Sequence, residues 1–333
     1  MNKKKINLGI EVLRMFLCFW VVTLHCARYK NQKKIKILNT FYHVPTFMLI
    51  SFHLSYRIVF SKEIQKLKIR FCRLLLPYMI IPIIYLLVLI LKFRKYSILN
   101  INNLFIDLYL QYLTGCKFYG PLWFVEILII FSIFFKIIYY SFKLDYFFII
   151  QLIQIFSYLL QYNEINFYLF SKYKPHIRSF SRIIEMLPIA ITGIIFAHIE
   201  LLEQLKNHRN KSIFFSSFIL YLIYNYNVFG NFNGFPYSGI KYNIAAICLF
   251  ISFSLIPFDK LMNNFILIIV KKLTSHTGGI YYFHIIIFDL IKDISFLKNS
   301  PIFGCFVIYI LGYILCMLGT KIFNNNKIKF LFN

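Results

Sequence analysis

Two ionisable side chains stand in the first apolar stretch of the chain, where a membrane-spanning helix is expected. Arg14 and His25 lie eleven positions apart in NLGIEVLRMFLCFWVVTLHC. Eleven residues of α-helix turn through about 1100°, close to three full turns, and rise about 16 Å. The two side chains therefore share one face at two depths. Because a charge in lipid is costly, this face is predicted to line a cleft.

The two side-chain types indicate what chemistry that face could perform. An arginine can bind an anionic donor, and an imidazole can act as general base toward a hydroxyl because it exchanges protons near neutral pH. The alternative is structural: Arg14 pairs with Glu11 at i,i+3, and His25 marks the membrane interface. Two such residues on one face favour function, so Glu11, Arg14 and His25 are the catalytic candidates.

A second pair of basic residues, Arg70 and Arg73, precedes the third apolar stretch. If this part of the chain is helical, the i,i+3 spacing places two guanidinium groups side by side. That arrangement suits a phosphate or diphosphate. The alternative is an ordinary basic loop that orients the protein in the membrane. The two residues alone leave these interpretations equal.

Polar and aromatic side chains also lie in or beside apolar stretches in three further motifs. These are FYHVPTFMLISFHLS, GPLWFVE and SHTGGIYYFHIIIFD. Glu126 lies about one turn inside the bilayer, where a structural role and the orientation of a catalytic base are equally favoured. Gly278 and Gly279 would let a neighbouring helix approach closely. Asp289 is predicted to pair with Lys292 at i,i+3. The predicted cleft-lining residues are His43, Ser51, Trp123, Glu126, Tyr281 and His284.

The composition indicates a membrane protein. The chain has 333 residues, of which 59% are hydrophobic and 20% aromatic, and its mean hydropathy is +0.68. A soluble globular domain is excluded by these values. The net charge of +25 would suggest nucleic acid in a soluble protein. Here most basic residues lie between apolar stretches, where anionic headgroups would meet them. Membrane lipid is therefore the predicted partner, and nucleic acid is not.

The apolar stretches predict an all-α, polytopic fold with about ten transmembrane helices in one bundle, forming a single domain over residues 1–333. The initial MNKKK resembles a signal peptide, but Glu11 and Arg14 interrupt the apolar run, which predicts a retained first helix. Residues 104–115 and 262–270 are too short to span and are predicted at an interface. The predicted spans are 8–27, 38–60, 73–92, 121–141, 145–162, 185–202, 212–229, 240–257, 276–291 and 302–323.

An even number of spans and a basic start predict that both termini are cytoplasmic, in a plasma (bacterial inner) membrane. Lys66 then lies on the cytoplasmic side and Asn233 on the other. The seven cysteines contain no C-x-x-C pair and no metal-ligand spacing. Neither a disulfide nor a metal is predicted.

Taken in order, the motifs resemble the acyltransferase-3 family of integral membrane acyltransferases, over nearly the whole chain. Two positions depart from the family's pattern. The second helix usually reads Ser-Gly-Phe, whereas here Phe52 directly follows Ser51, which removes a glycine for close packing. Glu11 stands where Asp is usual and keeps the charge. The matching residues are Arg14 and His25; Val44, Pro45, Phe47, Ser51 and Phe52; Arg70, Arg73 and Pro77; residues 121–124; residues 191–197; and residues 279–284.

The resemblance implies transfer of an acyl group, acetyl in the simplest case, from cytosolic acyl-CoA to a hydroxyl of a cell-surface or lipid-linked carbohydrate. Arg14, Arg70 and Arg73 would neutralise the donor's phosphates, with Arg70 and Arg73 forming the acyl-CoA site. His25 would deprotonate the acceptor or carry the acyl group. Acyl-CoA would be a substrate, with no bound cofactor. The oligomeric state stays open.

Two other classes of function remain open on the residues alone. Buried Arg and His also line the pathways of transporters, so a polysaccharide or small-molecule exporter is the main alternative. No inverted repeat is visible, which counts mildly against it. A structural or sensory membrane subunit without chemistry is the third alternative.

Overall fold

The computed structural model describes residues 7–27, 43–93, 101–115, 119–143, 145–162, 175–229, 240–294, 301–323 and 330–332. Within these residues the structure is helical and contains no strand, which confirms the all-α prediction. The fourteen α-helices of this part of the chain are α1 Leu8–Ala27, α2 His43–Val59, α3 Ile64–Phe93, α4 Ile101–Thr114, α5 Leu122–Phe142, α6 Tyr146–Tyr162, α7 Pro175–His198, α8 Leu201–Leu205, α9 Arg209–Phe229, α10 Ile240–Leu255, α11 Phe258–Leu261, α12 Asn264–Ser275, α13 Thr277–Ile291 and α14 Pro301–Ile322.

Four of the described helices, α1, α3, α5 and α14, are long and apolar enough to cross a membrane. A fifth span results if α7 and the helices after it form one broken span, bent by 66°. The bend falls at Glu200, whose φ of 51° is left-handed and ends the helical path. Within the described residues every predicted span coincides with a helix, and four or five crossings are supported by the length and apolarity of these helices. The number of about ten spans stays a prediction.

Two helices begin well before the spans predicted from hydropathy. The third span was predicted from residue 73, whereas α3 begins at Ile64. The sixth was predicted from residue 185, whereas α7 begins at Pro175, a residue type favoured at the first helical position. Hydropathy marks only the part of a helix that is apolar, so the polar first turns were missed. Because α3 begins at Ile64, Arg70 and Arg73 lie within this helix.

The chain divides into two compact units. The first comprises Met1–Arg57, Ile150–Tyr162 and Glu185–Thr277. The second comprises Ile58–Ile149, Asn163–Ile184 and Gly278–Asn333. The prediction of one functional domain over the whole chain stays a prediction.

In the first unit, α1 packs against α10 and α12. Asn7 fixes the start of α1, because its side-chain amide donates to the Ser254 carbonyl at 3.0 Å and its oxygen accepts from the Ile10 amide at 3.3 Å. Gly9 lies so close to the Phe253 carbonyl that a Cβ there would overlap it. The beginning of α1 is therefore held against the end of α10.

A second close approach in this unit joins α7 to α2. A Cβ on Gly193 would collide with the Leu49 carbonyl oxygen and lie 3.1 Å from the His53 amide nitrogen. These two residues flank Ser51 on α2. Gly193 thus lets α7 and α2 pack closely at the level of Ser51.

In the second unit, α3 packs against α5 and α4. Pro77 and Pro82 lie inside α3 without ending it. Two tyrosines join α3 to α4: the Tyr78 hydroxyl donates to the Tyr112 carbonyl at 2.6 Å, and the Tyr112 hydroxyl donates to the Met79 carbonyl at 2.7 Å. These bonds tie the start of the apolar part of α3 to the short helix predicted at an interface.

Candidate active site

The guanidinium group of Arg14 is held by two neighbours in the first unit. Its Nη1 donates to both carboxylate oxygens of Glu11 at 3.1 Å, and its Nη2 donates to the Thr277 hydroxyl at 3.2 Å. The side chains of Arg14 and Glu11 remain 30% and 15% exposed. The predicted i,i+3 pair is therefore present, and the threonine is an additional partner that the sequence did not reveal.

Thr277 also fixes the junction between α12 and α13 against α1. Its carbonyl accepts from the Cys18 thiol at 3.4 Å, and its hydroxyl donates to the Thr274 carbonyl at 3.0 Å. Arg14 and Cys18 are one turn apart on α1, so the junction is held at two successive levels. A guanidinium fixed in this way loses less conformational entropy when it binds an anion.

His25 lies in the last turn of α1 and is half-buried. The helix runs without a break from Arg14 to this residue. The two side chains therefore leave the same face about 16 Å apart along the axis. This geometry follows from the helix, whereas the chemical roles of the two residues stay predictions.

His43 and Ser51 belong to α2 in the same unit. His43 is the first residue of the helix and is only 4% exposed. Ser51 is half-buried, and its carbonyl accepts from the Ser55 hydroxyl at 2.6 Å, a local bond within the helix. On the next turn the His53 ring meets the edge of Phe250, with 4.9 Å between centroids.

Arg70 and Arg73 lie one turn apart on α3, in the second unit. The Nε of Arg70 donates to the Ser132 hydroxyl on α5 at 3.3 Å, and that hydroxyl donates to the Leu128 carbonyl at 2.6 Å. Arg73 is exposed, and its guanidinium carbon lies 5.4 Å from the centroid of the Phe330 ring. The two arginines therefore share a helix but have different neighbours.

The half-buried Trp123 and Glu126 stand in the first turns of α5. The guanidinium carbon of Arg182 lies 4.6 Å from the Trp123 ring centroid, a cation–π contact. Gly115, with φ of 62°, leaves room for both α5 residues, because a Cβ there would lie 2.7 Å from a carboxylate oxygen of Glu126 and from the Trp123 nitrogen. None of the sequence motifs indicated Arg182 as a partner of Trp123.

Tyr281 and His284 form a contact pair on α13. His284 is fully buried, its Nδ1 lies 2.7 Å from the Tyr281 carbonyl oxygen, and the two rings are 5.9 Å apart. The Tyr281 hydroxyl donates to the Pro121 carbonyl at 2.7 Å, which ties α13 to the start of α5. The predicted common face of this pair is therefore seen in the structure.

Tyr119 and Gln111 make a buried polar cluster that the sequence did not indicate. The Gln111 side chain accepts from the Tyr119 amide at 2.9 Å and donates to its carbonyl at 3.2 Å, while the Tyr119 hydroxyl donates to the Tyr282 carbonyl. Burial raises the pKa of Tyr119 well above its ordinary value. Burial therefore disfavours the charged form of this hydroxyl.

The predicted pair at the end of α13 is also present. Lys292 donates to Asp289 at 2.9 Å, and the other carboxylate oxygen accepts from the Tyr85 hydroxyl at 2.5 Å.

Across the described residues, no group of three His, Cys, Asp or Glu side chains is placed to hold a metal ion. Of the predicted site residues, Glu11, Arg14, His25, His43 and Ser51 belong to the first unit, and Arg70, Arg73, Trp123, Glu126, Tyr281 and His284 to the second.

The sequence model of a family described as an acyltransferase domain matches residues 7–321. The chain belongs to the acyltransferase-3 family. No curated protein and no solved structure matched it. Family membership and the apolar helices together make this protein a membrane acyltransferase.

In this acyltransferase-3 member α1 carries a guanidinium group at Arg14, held by Glu11 and Thr277, and an imidazole at His25. The partners Thr277, Ser132 and Phe330 come from distant parts of the sequence, so no local pattern could have revealed them.

Proposed function

We propose that this protein transfers an acyl group, acetyl in the simplest case, from cytosolic acyl-CoA to a hydroxyl of a cell-surface or lipid-linked carbohydrate. The observation that carries the proposal is the arrangement on α1. Arg14 is fixed by Glu11 and Thr277, and His25 follows three turns later on the same face. An anion site and a proton acceptor at two depths suit a donor and an acceptor that approach from opposite sides.

The proposed donor site includes Arg70 and Arg73. Both lie in the first turns of α3, on the side assigned to the cytoplasm by the basic residues around them. Ser132 orients Arg70, and Phe330 lies against Arg73. Guanidinium groups bind phosphate oxygens through paired N–H donors, which suits the diphosphate of acyl-CoA.

The proposed reaction needs no bound cofactor or metal. His25 takes the proton from the acceptor hydroxyl, whose oxygen attacks the thioester carbonyl of acyl-CoA. The carbon–sulfur bond breaks, an ester forms, and the proton passes to the released CoA thiol. In the alternative course His25 first accepts the acyl group and then passes it to the hydroxyl.

The remaining features of the proposal concern the membrane. We propose about ten spans in a plasma membrane, with both termini cytoplasmic and with lipid as the surrounding partner. The residues proposed to line the route to the acceptor hydroxyl are His43, Ser51, Trp123, Glu126, Tyr281 and His284. Glu11 keeps Arg14 in place and is included in the catalytic group for that reason.

Purified full-length protein in liposomes, given radiolabelled acetyl-CoA, tests the proposal. An acyltransferase should release CoA and move the label to a hydroxyl acceptor extracted from the cell surface. A transporter should instead move label across the bilayer with no chemical change. Absence of both transfer and movement would leave a structural or sensory role and contradict the proposal.

A further inference from the structure

Residues 330–332, called here the 330–332 segment, lie against helices of the second unit. The middle residue, Leu331, is only 4% exposed. Phe332 contacts the side chains of Phe283 on α13 and of Phe323, which directly follows α14, and Phe330 contacts Arg73 on α3. The segment is thus packed against this unit and contacts Arg73, one of the proposed donor arginines.

The ring of Phe332 anchors the segment in an aromatic stack. It lies 5.6 Å from the ring of Phe283, with 13° between their planes, and 5.9 Å from the ring of Phe323, with 1° between their planes. Aromatic pairs of this kind add to the free energy gained from burying their surface. The position of Phe332 is therefore set by two neighbouring rings.

Two glycines create the space that Phe332 occupies. A Cβ on Gly319 would lie 2.5 Å from the Phe332 ring carbon Cγ, and a Cβ on Gly279 would lie 2.8 Å from the Phe332 carbonyl carbon and oxygen. Gly279 was predicted to admit a neighbouring helix. It does approach Cys316 of α14, but it also accommodates the 330–332 segment.

At the other end of the segment, the Phe330 ring lies 5.4 Å from the guanidinium carbon of Arg73. A cation–π contact uses the positive charge of the group rather than its N–H donors. The N–H groups stay suited to phosphate oxygens, while the ring restricts the long and exposed side chain. A restricted guanidinium loses less conformational freedom when it binds an anion.

We propose that Phe330 is a positioning residue for Arg73, and that the 330–332 segment holds this guanidinium ready for a diphosphate. The inference rests on the proposed function, because it takes the donor's phosphates as the ligand of Arg73. Donor binding then also requires Phe330, which lies outside the Arg70–Arg73 motif. The segment should tune donor affinity and leave the acceptor step unchanged.

The test measures binding of CoA, and of dephospho-CoA, to full-length protein in lipid nanodiscs. Dephospho-CoA keeps the diphosphate and lacks the ribose phosphate. Phe330→Leu removes the ring but keeps apolar bulk, and it should weaken both ligands about two- to fivefold. Phe330→Tyr and Phe330→Trp should retain affinity. Phe142→Leu, at an exposed ring ending α5 in the same unit, is the matched control and should change nothing.

A double-mutant cycle separates positioning from general packing. In an Arg73→Gln background, Phe330→Leu should cause no further loss, because the two residues act as one unit. Gly319→Ala should resemble Phe330→Leu, since a Cβ there displaces Phe332 and with it the segment. Acceptor KM and kcat should stay close to those of the unaltered protein in both variants.

The outcomes distinguish this inference from the proposed function. If Arg73→Gln weakens CoA binding and Phe330→Leu does not, the positioning role is wrong while the donor site stands. Independent, additive losses would also overturn it. If Arg73→Gln leaves binding unchanged, the donor role of Arg73 fails and the inference fails with it. Should Phe330→Leu not accumulate in the membrane, Phe330→Met replaces it with the same expectations.

Discussion

At the scale of single residues, different neighbours hold the side chains of the three proposed donor arginines, Arg14, Arg70 and Arg73. Arg14 bonds to a carboxylate and a hydroxyl, Arg70 to a buried hydroxyl, and Arg73 lies against an aromatic ring. The ion pair of Arg14 neutralises part of its charge inside an apolar helix, which lowers the cost of placing it there. His25 is the proposed proton acceptor of the same site.

The first prediction concerns His25. Replacing it with alanine should lower acyl transfer by about 10²- to 10⁴-fold, the usual effect of losing a general base. Turnover of labelled acetyl-CoA measures the change, and His208→Ala, at an exposed histidine of the first unit, serves as control. Near-normal transfer by the His25 variant in a folded, inserted protein would remove this residue from the mechanism.

The second prediction concerns the arginine pair. Lysine at Arg70 or Arg73 keeps the charge but loses the planar fork, so donor KM should rise while acceptor KM changes little. Steady-state kinetics with varied acetyl-CoA measure the effect. Arg57→Lys is the matched control, since Arg57 is an exposed arginine that pairs with Glu200 at 3.5 Å. Unchanged donor KM in both variants would leave the pair with a role in topology only.

At the scale of helices, close approach depends on particular glycines. Gly193 lets α7 meet the backbone of α2 beside Ser51, and Gly9 does the same for α1 and α10. Each approach brings a helix with predicted site residues against a neighbour. These contacts set the depth and rotation of α1 and α2, and thereby the direction in which His25 and His43 project.

Gly193→Ala should therefore destabilise the protein, because its Cβ would collide with the Leu49 carbonyl oxygen and the two helices would have to move apart. Overpacking of this kind costs about 1–3 kcal/mol. Thermal unfolding in detergent measures the loss as a lower Tm. Gly120→Ala is the control, since no atom lies within 4 Å of a Cβ built there. Equal Tm values for both variants would contradict the packing described.

The helices themselves were largely predictable from the sequence, but their partners were not. The i,i+3 pairs Glu11–Arg14 and Asp289–Lys292 follow from helical spacing and are present. Helix starts were predicted less well where polar residues precede the apolar run, as in α3 and α7. The bonds to Thr277 and the contact with Phe330 depend on which helices pack together, and local sequence carries no information on that.

At the scale of the whole molecule, the proposed mechanism depends on orientation in the membrane. Arg70 and Arg73, the proposed donor arginines of α3, must face the cytosol if acyl-CoA is the donor, as the predicted topology expects. Lys66 lies close to them, at the beginning of α3. Asn233, on the side predicted to be opposite, lies outside the described residues.

Single-cysteine labelling checks this topology in an otherwise cysteine-free protein. A cysteine at Lys66 should react with an impermeant reagent only after the cells are permeabilised, and one at Asn233 should react in intact cells. The charge asymmetry of the loops is the physical reason for this expectation. The reverse pattern would place Arg70 and Arg73 on the wrong side for a cytosolic donor.

We propose above all that the protein acylates a carbohydrate outside the cytoplasm. Mass spectrometry of surface glycans from cells with the gene, without it, and with the His25→Ala variant tests this proposal. We expect an acyl ester, acetyl in the simplest case, that is present only with the unaltered gene. Glycans that keep the same acyl groups without the gene would contradict it.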